Sequence, residues 1–188
     1  NYYDACDSLW TFTTVDSFRV DDCPIVVNLF PDRDSICVGE CTEIEAVVTG
    51  GNGVYSYTWS NGLPPNAGPQ NVCPVATTTY TLTVDDTSPA VPASGSTTIT
   101  VFTPAVMPPS SSQCQSAPPV DLDATPNTGW WFGPGITDTL VGIFNGDSAL
   151  AGTNQVGYYL PITETFGCSS YVAINILPID AGLPVAAC

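Results

Sequence analysis

Residues 42–49 read TEIEAVVT, with Ile44, Ala46 and Val48 on one side of an extended chain and Glu43 and Glu45 on the other. Apolar/polar alternation of this kind predicts a strand with one buried face. The same period recurs outward from this stretch. In VYSYTWS (54–60), Tyr55, Tyr57 and Trp59 point together; in TTYTLTVDD (78–86), Tyr80, Leu82 and Val84 point in and Thr79, Thr81 and Thr83 point out. Ile99 and Val101 continue the pattern in TTITVF (97–102). Turn chemistry separates the runs: GGNG at 50–53, NGLPPNAGP at 61–69 and a Pro/Ala/Ser stretch at 88–96. Residues 24–103 therefore read as one antiparallel sandwich.

A Pro/Ser linker, TPAVMPPSSS (103–112), precedes a second set of short strands. Val120, Leu122 and Ala124 alternate with Asp121 and Asp123. Trp130–Phe132, Leu160 with Ile162, and Val172, Ile174 and Ile176 follow. Residues 104–178 read as a second sandwich, and no helix longer than a turn or two is expected, SALAG (148–152) being the best candidate. The fold class is all-β, two tandem antiparallel sandwiches with flanking strands. At the ends, 1–23 reads as a hairpin, Leu9–Thr13 with Ser17–Asp21. Residues 179–188 resemble the opening strand of a following or neighbouring repeat.

Composition narrows the chemistry. The 188 residues hold two Arg, no Lys, no His and 18 Asp plus Glu, a formal charge of −16. Without His there is no Ser-His-Asp or Cys-His pair and no His-ligated metal. Two cations cannot hold a nucleic acid or an anionic membrane, and no apolar run approaches the roughly 20 residues of a membrane span. Eight Cys with no C-x-x-C pair point to disulfides and an extracellular or cell-surface location. The carboxylates are the only catalytic side chains left, and Asp121 and Asp123 on a solvent face have nothing to tune them. Enzyme activity is not expected. No cofactor is expected except calcium, for which Asp85, Asp86, Asp21 and Asp22 supply hard oxygen ligands near strand ends.

The motifs ICVGECTEIEAVVTGGNGVYSYTWSNG (36–62) and VCPVATTTYTLTVDD (72–86) resemble the PKD-like, immunoglobulin-like repeats of large Bacteroidota surface proteins. Gliding adhesins and cargo proteins of the type IX secretion system belong to that group. The second half is similar to a companion repeat, through CQSAPPVDLDATPNTGWWFGPGITDT (114–139), GIFN (142–145) and GCSSYVAINI (167–176). The first sandwich has Gly95-Ser96 where the repeats place Gly-Cys, which leaves Cys37 without the partner the resemblance implies. The resemblance implies a non-catalytic structural segment or subunit of an extracellular filament or surface adhesin. Its partners would be copies of itself head-to-tail, or adjacent repeats of one long chain.

The same resemblance pairs Cys114 with Cys168 and Cys41 with Cys73. Two patterns stay open for the others: the end fragments' resemblance to parts of one repeat places Cys6 with Cys188 across a junction and Cys23 with Cys37, whereas the hairpin register pairs Cys6 with Cys23 and leaves Cys37 and Cys188 over. Four Asp-Ser/Thr-aliphatic triplets resemble the O-glycosylation acceptors of the same bacteria and mark Ser8, Ser35, Thr139 and Ser148. A rival reading is a carbohydrate-binding or accessory module of a secreted enzyme. Consecutive aromatics on a strand must face opposite ways. Trp130 or Trp131 would then be exposed as a glycan contact.

Overall fold

The computed structural model describes the backbone of residues 2–3 and 9–10 and the chain over 24–86 and 91–178. The chain divides into two compact units, Asn1–Phe102 and Thr103–Cys188. Each is a sandwich of two sheets, and the all-β expectation holds: the described helical residues form only two short 3₁₀ turns, Ser60–Gly62 and Gly146–Ser148. SALAG (148–152) is not helical beyond Ser148; the turn Gly146–Ser148 precedes it, where the Asn145 side chain accepts from the Asp147 N–H.

At the N-terminus, β1 (Tyr2–Tyr3) pairs antiparallel with β2 (Leu9–Trp10). The expected pairing of Leu9–Thr13 with Ser17–Asp21 falls on residues 11–23, which lie outside the described residues, as do 179–188.

In the first unit, β3 (Val26–Pro31), β5 (Thr42–Thr49) and β7 (Gln70–Val72) form one sheet in the order β3-β5-β7. The other contains β4 (Ser35–Cys37), β6 (Tyr55–Trp59), β8 (Thr78–Asp86) and β9 (Ala93–Phe102), in the order β4-β9-β8-β6. All pairs are antiparallel except β4 with β9. A three-stranded sheet facing a four-stranded one, with the first strand crossing over to lie parallel to the last, is an immunoglobulin-like arrangement. The alternating residues meet between the sheets, where Ile36, Ile44, Leu82, Val84 and Ile99 are fully buried. Trp59 joins them and satisfies its indole N–H on the Asn66 carbonyl at 2.8 Å, so its polar atom is not stranded. Strand β9 begins at Ala93, inside the stretch that the Pro/Ala/Ser composition marked as a turn. Its pairing with β8 overrides the weak strand propensity of Ser94, Gly95 and Ser96.

The second unit repeats the plan. One sheet holds β10 (Ser111–Cys114), β12 (Trp130–Phe132), β15 (Gly152–Pro161) and β16 (Gly167–Leu177), ordered β10-β16-β15-β12 with β10 parallel to β16. The other holds β11 (Val120–Asp121), β13 (Ile136–Asp138) and β14 (Ile143–Phe144), ordered β11-β14-β13. Trp131, Phe144, Val156, Tyr158, Ile174 and Ile176 fill the space between. Tyr158 is buried to the ring tip, where its hydroxyl accepts from the Gly129 N–H and donates to the Pro126 carbonyl. Asn154, equally buried, closes its amide on Leu150 and Gly152. The stretch at 103–112 is not a free linker. Ala105 is buried in the second core, its carbonyl accepts from the Ser170 hydroxyl at 2.7 Å, and Val106 bridges to Thr125.

Among the described residues no cysteine is free. Cys41 and Cys73 are joined, their Cα atoms 4.2 Å apart. The register explains it: Thr42 faces Val72 in the β5–β7 pair, so one step outward brings the two cysteines directly opposite. The pairing of Cys114 with Cys168 is overturned. Cys114 sits beside Leu177 at one end of β16, and Cys168 beside Leu160 at the other. Nine residues of strand separate those ends, about 30 Å at ~3.3 Å per residue, far beyond disulfide reach. Both are nevertheless disulfide-bonded, as is Cys37. The two patterns weighed for Cys6, Cys23 and Cys188 lie outside the described residues.

Two expectations follow for stability. Cys73→Ser, which opens a loop of sequence separation 32, should lower the unfolding free energy in urea by about 2–5 kcal/mol. Burial pushes the Tyr80 hydroxyl above its ordinary value of 10.0. The unfolded chain then loses its proton first as pH rises past about 10, so stability held below that pH is lost above it. Urea midpoints of Tyr80→Phe should lack this part of the alkaline fall; identical alkaline profiles would remove Tyr80 as its source.

Candidate functional site

The outer face of the β10-β16-β15-β12 sheet carries the most distinctive chemistry of the described residues. In β12 the order exposed–buried–exposed places Trp131 in the core at 2% exposure, while Trp130 at 44% and Phe132 at 37% point outward. Register then brings two tyrosines to the same side. Trp130 faces Tyr159 on β15, and Phe132 faces Gly157, which in turn faces Tyr171 on β16. The rings of Trp130 and Tyr159 lie 4.6 Å apart at a tilt of 34°. Those of Phe132 and Tyr171 meet edge to face at 5.8 Å, across the strand between them. Tyr171 is 60% exposed.

Two glycines let these rings lie down. A Cβ on Gly157 would fall 2.2 Å from the Phe132 ring, and one on Gly167 would fall 2.4 Å from that of Tyr159. Any larger residue at either place would lift the ring off the sheet. The outcome is an aromatic surface in which Phe132 and Tyr159 lie low, Trp130 tilts over Tyr159 and Tyr171 stands beside Phe132.

The glycan-contact expectation is thus divided: Trp130 is available and Trp131 is not, because its ring packs on Tyr158 at 5.0 Å inside the core. Tyr159 and Tyr171 were missed in the sequence. In GYYL the two tyrosines are adjacent and only register decides which faces out; in YVAINI, Tyr171 shows as the one large ring opposite the Val172, Ile174 and Ile176 set.

Of the expected calcium ligands, the two described ones do not point to one place. Asp85 and Asp86 are neighbours on β8, so Asp85 points out and Asp86 points in, where its carboxylate accepts from the Asn52 N–H at 2.8 Å. Asp21 and Asp22 lie outside the described residues, and no cluster of three His, Cys, Asp or Glu suited to a metal occurs among those described. Asp121 and Asp123 are both exposed and border an open cleft of about 280 Å³ with Asn127, Leu140 and Val141. Of the glycosylation candidates, Thr139 and Ser148 are exposed in turns. The Asp138 carboxylate accepts from the Leu140 and Val141 N–H groups and so holds the first turn open to solvent. Ser35 is half-buried within β4, and Ser8 lies outside the described residues.

No family model matches the chain, and no curated protein matches it. Among solved structures it is similar to Sidekick-1 immunoglobulin domains 1–5, at 14% identity and a TM-score of 0.41, over 83% of this chain and 40% of that one. The insect immune protein hemolin aligns at 15% identity and a TM-score of 0.40, over 89% and 49%. The N-terminal eight immunoglobulin domains of Down Syndrome Cell Adhesion Molecule align at 12% and 0.41, over 82% and 25%. The chain spans less than half the length of each.

The two adjacent tryptophans should respond oppositely to truncation. Trp131→Ala removes a core ring and should cost about 3–5 kcal/mol, whereas Trp130→Ala should cost under about 1 kcal/mol. Urea unfolding of the two variants checks this, and equal losses would contradict the assigned strand facing.

Proposed function

We propose that the chain is a non-catalytic structural segment of an extracellular surface protein or fibre, of the kind repeated in large Bacteroidota adhesins. The observation that carries this reading is the tandem of two disulfide-containing immunoglobulin-like sandwiches, in which every described cysteine is oxidised. Disulfides persist in oxidising compartments outside the cytosol. No described helix is long and apolar enough to cross a membrane. Acid-rich, hydroxyl-lined strands and short connections suit a spacer that stays soluble and folded under load.

Its partners in this reading are copies of the chain, or adjacent repeats of a longer one, placed head to tail. An end-to-end contact that does not close propagates into a filament. O-glycosylation belongs to the same picture, with Thr139 and Ser148 the accessible acceptors, since attached sugars would hydrate a surface poor in charge. Calcium binding, with Asp85, Asp86, Asp21 and Asp22 as its candidate ligands, stays part of the same reading.

Native material taken from its source tests the reading. Electron microscopy should show filaments or elongated surface structures. Non-reducing electrophoresis should show a ladder that collapses with reductant if the junctions are covalent. Intact mass should exceed the 19.7 kDa of the bare chain. Discrete monomers of bare mass, in a reduced compartment, would overturn it.

A further inference from the structure

The outward positions of β10, β12, β15 and β16 hold no Asp, Glu, Lys or Arg, in a chain whose formal charge is −16. What they do hold is the aromatic surface of Trp130, Tyr159, Phe132 and Tyr171, with the exposed Gln155 and Ser169 on the same face. We propose that this face is a binding site for a neutral polysaccharide, whose sugar rings stack their apolar C–H faces on these side chains. The inference goes beyond a structural role, since a spacer requires no ligand.

Three observations select that ligand. The first is the posture of the rings. Gly157 and Gly167 allow Phe132 and Tyr159 to settle against the backbone, and Tyr171 stands at 88° to Phe132 beside it, so the surface has a low floor with one upright edge. A flat carbohydrate ring has one face of C–H groups and a rim of hydroxyls, and it needs such a floor with polar groups beside it. Gln155 offers an amide donor and acceptor and Ser169 a hydroxyl, which serve that rim.

The second is charge. An anionic polymer would meet a strongly acidic molecule, with no cation on this face to hold it. A basic partner would find its acids elsewhere. A neutral ligand neither gains nor loses by the absence of charge here.

The third is size. Trp130, Phe132 and Tyr171 are 44%, 37% and 60% exposed. At 150–250 Å² per aromatic side chain, that amounts to about 300 Å² of ring surface. A stable pairing of two copies through this face would bury roughly 800 Å² on each. The aromatic rings alone fall well short of that area, and they match a few sugar rings in a row.

Electrophoresis of the whole chain through native gels containing a dissolved polysaccharide tests the proposal. Hydroxyethylcellulose, galactomannan and glycogen serve as neutral probes and alginate as an anionic one. Retardation by at least one neutral polymer and not by alginate, unaffected by salt, is the expected result. Trp130→Ala and Tyr171→Ala should each weaken it by about tenfold or more, the loss typical of a central aromatic anchor. Both residues are exposed, so unchanged urea midpoints will show that the variants fold; if one fails, the other carries the test. Migration unaffected by all three neutral polymers overturns the proposal, as does retardation that both variants retain. So does a concentration-dependent dimer in sedimentation that Trp130→Ala abolishes, which would assign the face to a second copy of the chain. None of these outcomes depends on whether the native material forms filaments.

Discussion

A long antiparallel hairpin fixes the register of each sandwich: β8 with β9 over seven residue pairs, β15 with β16 over ten. Side chains alternate with a period of two, so a slip of one residue would exchange the two faces along the whole hairpin. In the second unit such a slip would carry Val156, Tyr158, Leu160, Val172, Ile174 and Ile176 into water together. Burial of that set holds the register, and the register in turn decides what the opposite face displays. The aromatic surface of Trp130, Tyr159, Phe132 and Tyr171 is a consequence of a core that cannot shift.

The same sheet serves different chemistry in the two units. In the first, its outer face is lined with hydroxyls: Thr79 meets Thr98 and Thr83 meets Ser94, each at 2.8 Å across the β8–β9 pair. Cross-strand Thr and Ser pairs stabilise the sheet modestly and keep its surface wet. In the second unit the corresponding positions hold rings laid over glycine. One fold plan thus carries a hydrophilic wall and an aromatic one, and only the outward half of the alternation differs. Fold alone does not confer a role, and the difference between these faces is where function is to be sought.

Much of the architecture was legible in the sequence, because alternation reports burial directly. Ile44, Leu82, Val84 and Ile99 were marked as core by period alone, and all four are fully buried. What failed was longer in range. The residues of 103–112 look like a linker by composition, yet Ala105 is drawn into the core by contacts some 65 positions away, through Ser170. The pairing of Cys114 with Cys168 failed for a related reason. Chain order says nothing of which end of β16 the parallel strand β10 will reach. The site was half visible: the opposite facing of Trp130 and Trp131 follows from strand geometry, but that Tyr159 and Tyr171 would join Trp130 requires the register of three strands.

In both units a short strand near the beginning lies parallel to the final one, β4 along β9 and β10 along β16. This arrangement has a mechanical meaning. When a unit is pulled by its two ends, parallel neighbours are drawn in opposite directions along their own length. The hydrogen bonds between them are then strained side by side, and no single bond can be opened ahead of the rest. An antiparallel pair pulled from one end would open bond by bond, as a zipper does. Each sandwich thus has a shear-loaded latch at the place where tension along the chain would enter and leave it.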